Sequence, residues 1–384
     1  MKTLIVGLVA FFLALPLAAQ QCFVTVTNPA PFDRALETIE VSWQDVQAAL
    51  SLSPQDRVGV IRGQETLVSQ TIDYDGDGVA DVLIFQSSFR AKEQQRFVVK
   101  RVSNMPKVDS ITDAKFVVPR KDVAWENDRI AYRIYGGPLA GDVRDGIDVW
   151  VKRVRYHVID KWYHGDSFRG AQRISYHVDH GEGADFFLVG RSLGGGGCAL
   201  WKDSALHQAG FFTSHRIIAT GPIRAMFRVA YESDSASTLS FKAEKTYTLD
   251  AGMNLNKIDV QYSGIVDSEA EIAIGLVRRK NTVRYANGNE GWLSLWGSVD
   301  DDSANGSLGI GIVVQRNSLR RMEEDSTHYL IIASSSPGKR LAYYAGAGWT
   351  QSGDFPSVED WNNYLSRFAQ GLQYPIQVRV SSAK

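Results

Sequence analysis

Residues 217–277 read IIATGPIRAMFRVAYESDSASTLSFKAEKTYTLDAGMNLNKIDVQYSGIVDSEAEIAIGLV. Within them Ala225–Val229, Leu239–Thr248, Leu255–Tyr262 and Glu271–Val277 follow one another as strand candidates, rich in branched and aromatic residues and separated by turn formers. No helical pattern intervenes. The stretch therefore argues against an alternating α/β fold and for a large sandwich of extended sheets.

Working outward, further strands are expected at Ile310–Val314, Tyr329–Ala333 and Leu341–Tyr344, then one helix from Val358 to Phe368 capped by Ser357, and a last strand at Ile376–Val380. Upstream, Ile130–Tyr135 alternates well. Earlier still, Phe23–Val26, Thr38–Val41, Arg57–Val60, Glu65–Val68, Val82–Phe85 and Arg96–Lys100 fit a period of two, and Trp43–Leu50 reads as a short helix. The chain is thus expected to be all-β, with an N-terminal β-sandwich over residues 22–108, a linker around Met105-Pro106, and a larger sandwich over 115–384.

The 42 Lys and Arg residues balance 43 Asp and Glu residues, a formal charge of -1. With no basic excess, no nucleic-acid partner is expected. Met1-Lys2-Thr3, the apolar run Leu4–Leu17 and Ala18-Ala19 together resemble a secretory signal over residues 1–19, so the mature chain is expected to be exported, periplasmic or extracellular. That run is too short to span a bilayer, and no later segment reads as an integral membrane span. Export permits a disulfide between Cys22 and Cys198, although a pair of separate thiols is the simpler expectation.

Two constellations carry chemistry. Asp73, Asp75, Asp77, Gly78 and Asp81 occupy positions one, three, five, six and nine of a calcium-loop pattern, but Ile84 stands where the twelfth-position Glu belongs. A structural calcium ion and an ion-free Asp-Gly turn both fit. The second constellation runs from Asp148 to Lys202. It mixes aromatic faces with charged groups, as sugar sites do. His177 or His180 could take a proton next to a carboxylate, and Tyr163 or the other histidine could protonate a departing hydroxyl. Arg153 and Lys161 could hold the carboxylate, with Trp162, Trp201 and Lys202 around the ring. No cofactor is required for that chemistry. If the strand at Tyr176–His180 bends, His177 and His180 with Glu182 or an Asp leave zinc open. Asp179 or Asp185 could orient a histidine. Alternatively, Glu182 could pair with Asp148, Asp179 or Asp185 as the carboxylates of a glycoside hydrolase. A sugar epimerase and a noncatalytic carbohydrate-binding protein also fit. Asp160-Lys161 reads as a turn.

The segments Gly146–Trp150, Tyr156–Tyr163, Tyr176–Gly183, Gly197–Lys202 and Leu249–Gly252 resemble a bacterial polysaccharide-utilisation family, DUF4861. The resemblance implies a β-sandwich followed by a supersandwich like that of galactose mutarotases and several polysaccharide lyases. It also implies a carbon–oxygen lyase: a dehydratase acting on an unsaturated uronate at an oligosaccharide end, as in ulvan breakdown. His164–Arg169 looks like an insertion at the mouth of such a pocket.

Overall fold

The computed structural model describes residues 21–53, 56–104, 107–118, 120–137, 145–233, 239–265, 270–300, 302–335 and 340–382, so the expected signal segment 1–19 lies outside the described residues. Strands dominate, and every named sheet pairing is antiparallel.

In the strand Cys22–Thr27 alternate residues Cys22, Val24 and Val26 are buried, as a period of two dictates for a half-buried strand. They meet Ile39, Val41, Phe85, Phe97 and Val99 between a five-stranded and a three-stranded sheet. Helix α1 (Trp43–Leu50) closes one end, its first turn held by Ser42 Oγ accepting from the Asp45 amide at 3.3 Å. The far end of the chain returns to this first sandwich. The strand Gln377–Ser382, expected in the second domain, pairs with Cys22–Thr27, placing Val380 opposite Val24 and Val378 opposite Val26. Its valines cover an edge of the first core that the local segment leaves open.

The second domain is built on an eight-stranded sheet running from Ser214–Ala219 at one edge to Thr282–Asn287 at the other. It faces a five-stranded sheet that includes Gly195–Lys202 and Ala270–Val277. Helix α3 (Val358–Gln373) buries Trp361, Leu365 and Ala369 at intervals of four, and Ser357 caps it as expected. A further five-stranded sheet contains Asp122–Glu126, Ile130–Ile134 and Asp148–Lys152. These three strands are buried on both faces. One face sends Trp125 and Tyr132 into the main core against Phe227 and Tyr247. The other presents Ala124, Ala131 and Trp150 to helix α2 (Ile159–Ser167).

Two local expectations change. Asp160-Lys161 is the first turn of α2, not a free turn, and Tyr176–His180 is a run of turns, not a bent strand. Both Cys22 and Cys198 are free and buried in separate cores; burial pushes the Cys22 thiol up to about 11. No helix among the described residues is long and apolar enough to cross a membrane.

Candidate functional site

Helix α2 is held from below by a buried ion pair. The Glu126 carboxylate accepts from the amides of Val158 (2.9 Å) and Ile159 (3.0 Å), and Lys152 Nζ reaches the same carboxylate at 2.6 Å with both side chains out of water. A carboxylate at a helix N-terminus satisfies orphan amides and suits the dipole. The lysine neutralises its charge, so the cap survives burial. Aromatic packing fixes the rest: Trp162 and Tyr176 lie 5.6 and 5.0 Å from Trp150.

Between α2 and the turns at 174–183 lies a pocket of about 280 Å³. Lys161, Trp162, Tyr176, His180 and Glu182 line it. Glu182 Oε1 accepts from Lys161 Nζ at 2.7 Å and from the Tyr156 hydroxyl, and Trp162 Nε1 approaches Oε2 at 3.4 Å. Partial burial pushes the Glu182 carboxyl up, but the bonds from Lys161 and Tyr156 win and hold it below the usual range. Gly183 sets this geometry. It has φ +111°, and a Cβ there would sit 2.0 Å from the Val151 carbonyl oxygen, so only glycine lets the turn return onto the sheet.

Behind the same turns lies a second charged layer. Asp148 Oδ2 accepts from Arg133 Nε at 2.9 Å and Nη2 at 2.5 Å, from the Tyr135 hydroxyl at 3.0 Å and from Trp150 Nε1 at 3.0 Å. Arg133 also reaches Asp185 Oδ2 at 3.1 Å and the Tyr176 hydroxyl at 3.1 Å. Asp185 is buried, and its Oδ1 has no partner. Burial, then the charge of Asp148, raises its carboxyl well above the ordinary range despite Arg133. His177, half exposed, turns Nδ1 toward the Asp185 carbonyl at 2.9 Å and its carboxylate at 3.5 Å. That contact fixes the orientation of the ring through Nδ1.

The structure gathers some of the expected residues and separates others. Lys161, Trp162, His180 and Glu182 share the pocket; His177 stands on the same run of turns but not in the lining. Tyr163 lies beneath it, partly buried, its hydroxyl directed at Asp122 at 3.3 Å, and desolvation raises its pKa. Arg153 is engaged on the far side of the turns by Asp179 at 2.6 Å and by Gln351, over the Trp349 ring. Trp201 and Lys202 belong to another sheet, where Trp201 packs with Leu206 over Leu193, Ala199 and Ala273. Among the described residues no set of three convergent metal-ligand side chains includes His177 or His180. Oxygens of Asp73, Asp75 and Asp81 do lie within 4.8 Å of one another. Asp77 stands apart from that set and accepts from the Val79 amide at 2.7 Å. Asp73 and Asp81 likewise bond the turn's own amides, Gly78 at 2.9 Å and Tyr74 at 2.6 Å. The turn also meets the second domain, where Arg216 donates to the Asp75 carbonyl at 2.6 Å.

Residues 26–378 match a sequence family described as "Domain of unknown function (DUF4861)". This chain belongs to the DUF4861 family. A relative from Formosa agariphila, "Uncharacterized protein P7", is 33% identical over 378 residues, covering 93% of each chain. A solved structure, a protein in the glycosyl hydrolase family 38 from Enterococcus faecalis, superposes with a TM-score of 0.51 at 9% identity, over 95% of this chain and 48% of that one. An α-mannosidase from the same organism gives 0.43 at 8% identity, over 95% and 46%. The DUF4861 chain thus spans about half the length of these solved structures, and the first likeness is one of fold.

In this DUF4861 protein the sequence reading missed Glu126, Arg133 and Asp122 as parts of the site. A signal for Arg133 was present: a lone cation inside Ile130–Tyr135, a strand too apolar to leave it unpaired. Its partner could not be read, because Asp148 and Asp185 lie far along the chain. Trp150, by contrast, is wholly core.

Proposed function

We propose that this DUF4861 protein is a carbohydrate-active enzyme that acts on uronate-bearing oligosaccharides, with the turns at 174–185 as its proton-transfer element. One observation carries this reading: an open pocket that holds an imidazole, a solvent-facing ammonium and two aromatic rings together, His180, Lys161, Trp162 and Tyr176. A pyranose ring lies against the aromatic faces. Its carboxylate displaces Glu182 from Lys161, an exchange favoured by the pair's contact with water. His180 takes the proton from the carbon beside that carboxylate, and Lys161 stabilises the charge that develops. The leaving hydroxyl receives a proton from His177 and departs as water. Tyr163 has no part in this scheme, since its hydroxyl serves Asp122.

Glycoside hydrolysis is the second reading, favoured by the fold likeness to a glycosyl hydrolase family 38 protein. It requires an accessible pair of carboxyl groups. Glu182 lines the pocket, whereas Asp148 and Asp185 are buried behind Arg133 and Asp179 is tied to Arg153.

Mass spectrometry of saturated and unsaturated uronate oligosaccharides after incubation separates the two. Loss of one water mass, reduced by about two to four orders of magnitude in His180→Ala, is expected. Gain of a water mass with shorter products means hydrolysis, and a changed configuration at constant mass means epimerisation. An unaltered substrate panel, with metal-supplemented protein, overturns the enzymatic assignment.

A further inference from the structure

A second concavity lies in the N-terminal sandwich. A groove of about 510 Å³ opens between α1, the strand Ser69–Ile72 and the acidic turn, away from α2 and its pocket. Trp43, Gln47, Arg57, Ser69 and Thr71 line it. Trp43 is half-buried, packed on the first core yet open to the groove. What sets this concavity apart is its unspent hydrogen bonding. Among the described residues the Trp43 indole N–H, the Gln47 amide, the Arg57 guanidinium and the Thr71 hydroxyl have no hydrogen-bond or ion-pair partner in the protein, and Ser69 Oγ is a buried orphan. The neighbouring Asp56 is occupied, accepting from the Ser53 amide at 2.8 Å and from Arg101 at 3.1 Å.

On an ordinary solvated face such groups point apart, each into bulk water. Here four of them line one groove together with the indole of Trp43. An indole with planar amide and guanidinium donors nearby suits a pyranose ring: apolar C–H face on the aromatic, vicinal hydroxyls on the polar rim. We infer that the N-terminal sandwich carries a second carbohydrate-binding site, in this groove, for a glycan chain of the hydroxylated pyranose class. Arg57 adds a place for an anionic substituent. The site is independent of the chemistry assigned to the α2 pocket and binds without turning over. It holds polymer to the protein while the other domain acts on a chain end.

Native affinity electrophoresis of the full chain through gels containing alginate, xylan or ulvan tests this. Retardation by at least one polysaccharide is expected, weakened about tenfold in Gln47→Ala and in Trp43→Leu and unaltered in His180→Ala. Loss in Arg57→Ala on alginate but not on xylan assigns the anionic substituent. Gln47 and Arg57 are at the surface, so their variants keep the wild-type melting temperature and the result does not depend on Trp43→Leu folding. No retardation of the wild type by any of the three, or equal retardation of Gln47→Ala, Arg57→Ala and wild type, overturns the inference. Retardation lost only in His180→Ala assigns polymer binding to the α2 pocket instead and also overturns it.

Discussion

Helix α2 separates two sets of charges of the same chemistry. Beneath it Glu126, Lys152, Arg133, Asp148 and Asp185 are out of water, each bonded in a fixed direction. Outside it Lys161 with Glu182 and Arg153 with Asp179 make contacts as short, but their cations reach solvent. Distance alone does not distinguish the layers; the dielectric around them does. A buried charge without its partner has no water to turn to, so the inner layer holds geometry. An exposed pair is nearly balanced by hydration and can be exchanged for a ligand. The difference teaches where to look for recognition and where to look for scaffolding.

Five substitutions sharpen or break that contrast. The largest effect is expected for Glu126→Ala, which strands Lys152 and uncaps α2; a loss of about 3–5 kcal/mol in urea unfolding is expected. A loss below about 1 kcal/mol would place Glu126 with the outer layer. Next come the two inner aspartates, which differ from each other. Asp148 accepts from Arg133 twice, so Asp148→Asn should cost about 2–4 kcal/mol. Asp185 is already pushed toward its neutral form by burial and by Asp148, so Asp185→Asn should change stability by less than about 1 kcal/mol while shifting the pH profile of turnover through His177. Equal losses in the two variants would remove the distinction drawn between them.

A smaller, pH-dependent effect is expected at Asp122. Burial raises its carboxyl to about 6 against the partial relief of Arg133 and Arg120. A carboxyl with a raised folded pKa contributes stability that is complete below its unfolded pKa and is lost as pH rises through about 6. Asp122→Asn should therefore raise stability at pH 7 by about 2–3 kcal/mol and leave it unaltered near pH 3; a gain independent of pH would rule out this cause. The smallest stability effect belongs to Glu182→Gln. Its melting temperature should stay within about 3 °C of wild type at pH 7. Because the Glu182 pKa is lowered on folding, even that difference belongs above its ordinary titration range and fades as pH falls through its depressed value. KM for a uronate substrate should fall as Lys161 is freed. A fall in melting temperature beyond 10 °C would show that the outer layer is scaffolding too.

What was legible follows the range of each interaction. Strand alternation in Cys22–Thr27, the Ser357 cap and the turn bonds of Asp73–Asp81 involve neighbours a few residues apart, and their residue patterns can be read directly. Candidate residues on α2 and on the turns were found through composition, yet their grouping was not. Tyr163, Lys161 and Trp162 were expected to act together, but a helix points consecutive side chains in different directions, so one went under the pocket and two into its lining. Trp201 was carried to another sheet by strand pairing that no local pattern reports.

The sequence by itself determined an all-β chain with two flanking helices, a capped carboxyl-terminal helix and an acidic turn, because periodicity and capping are local and additive. Only the tertiary structure decided that the last strand returns to the first sheet, that Glu126 and Lys152 carry α2, and that Arg133 joins Asp148 to Asp185. Those choices are made by the cost of leaving a polar group or a sheet edge unpaired away from water, and that cost is known only once the chain has closed around it.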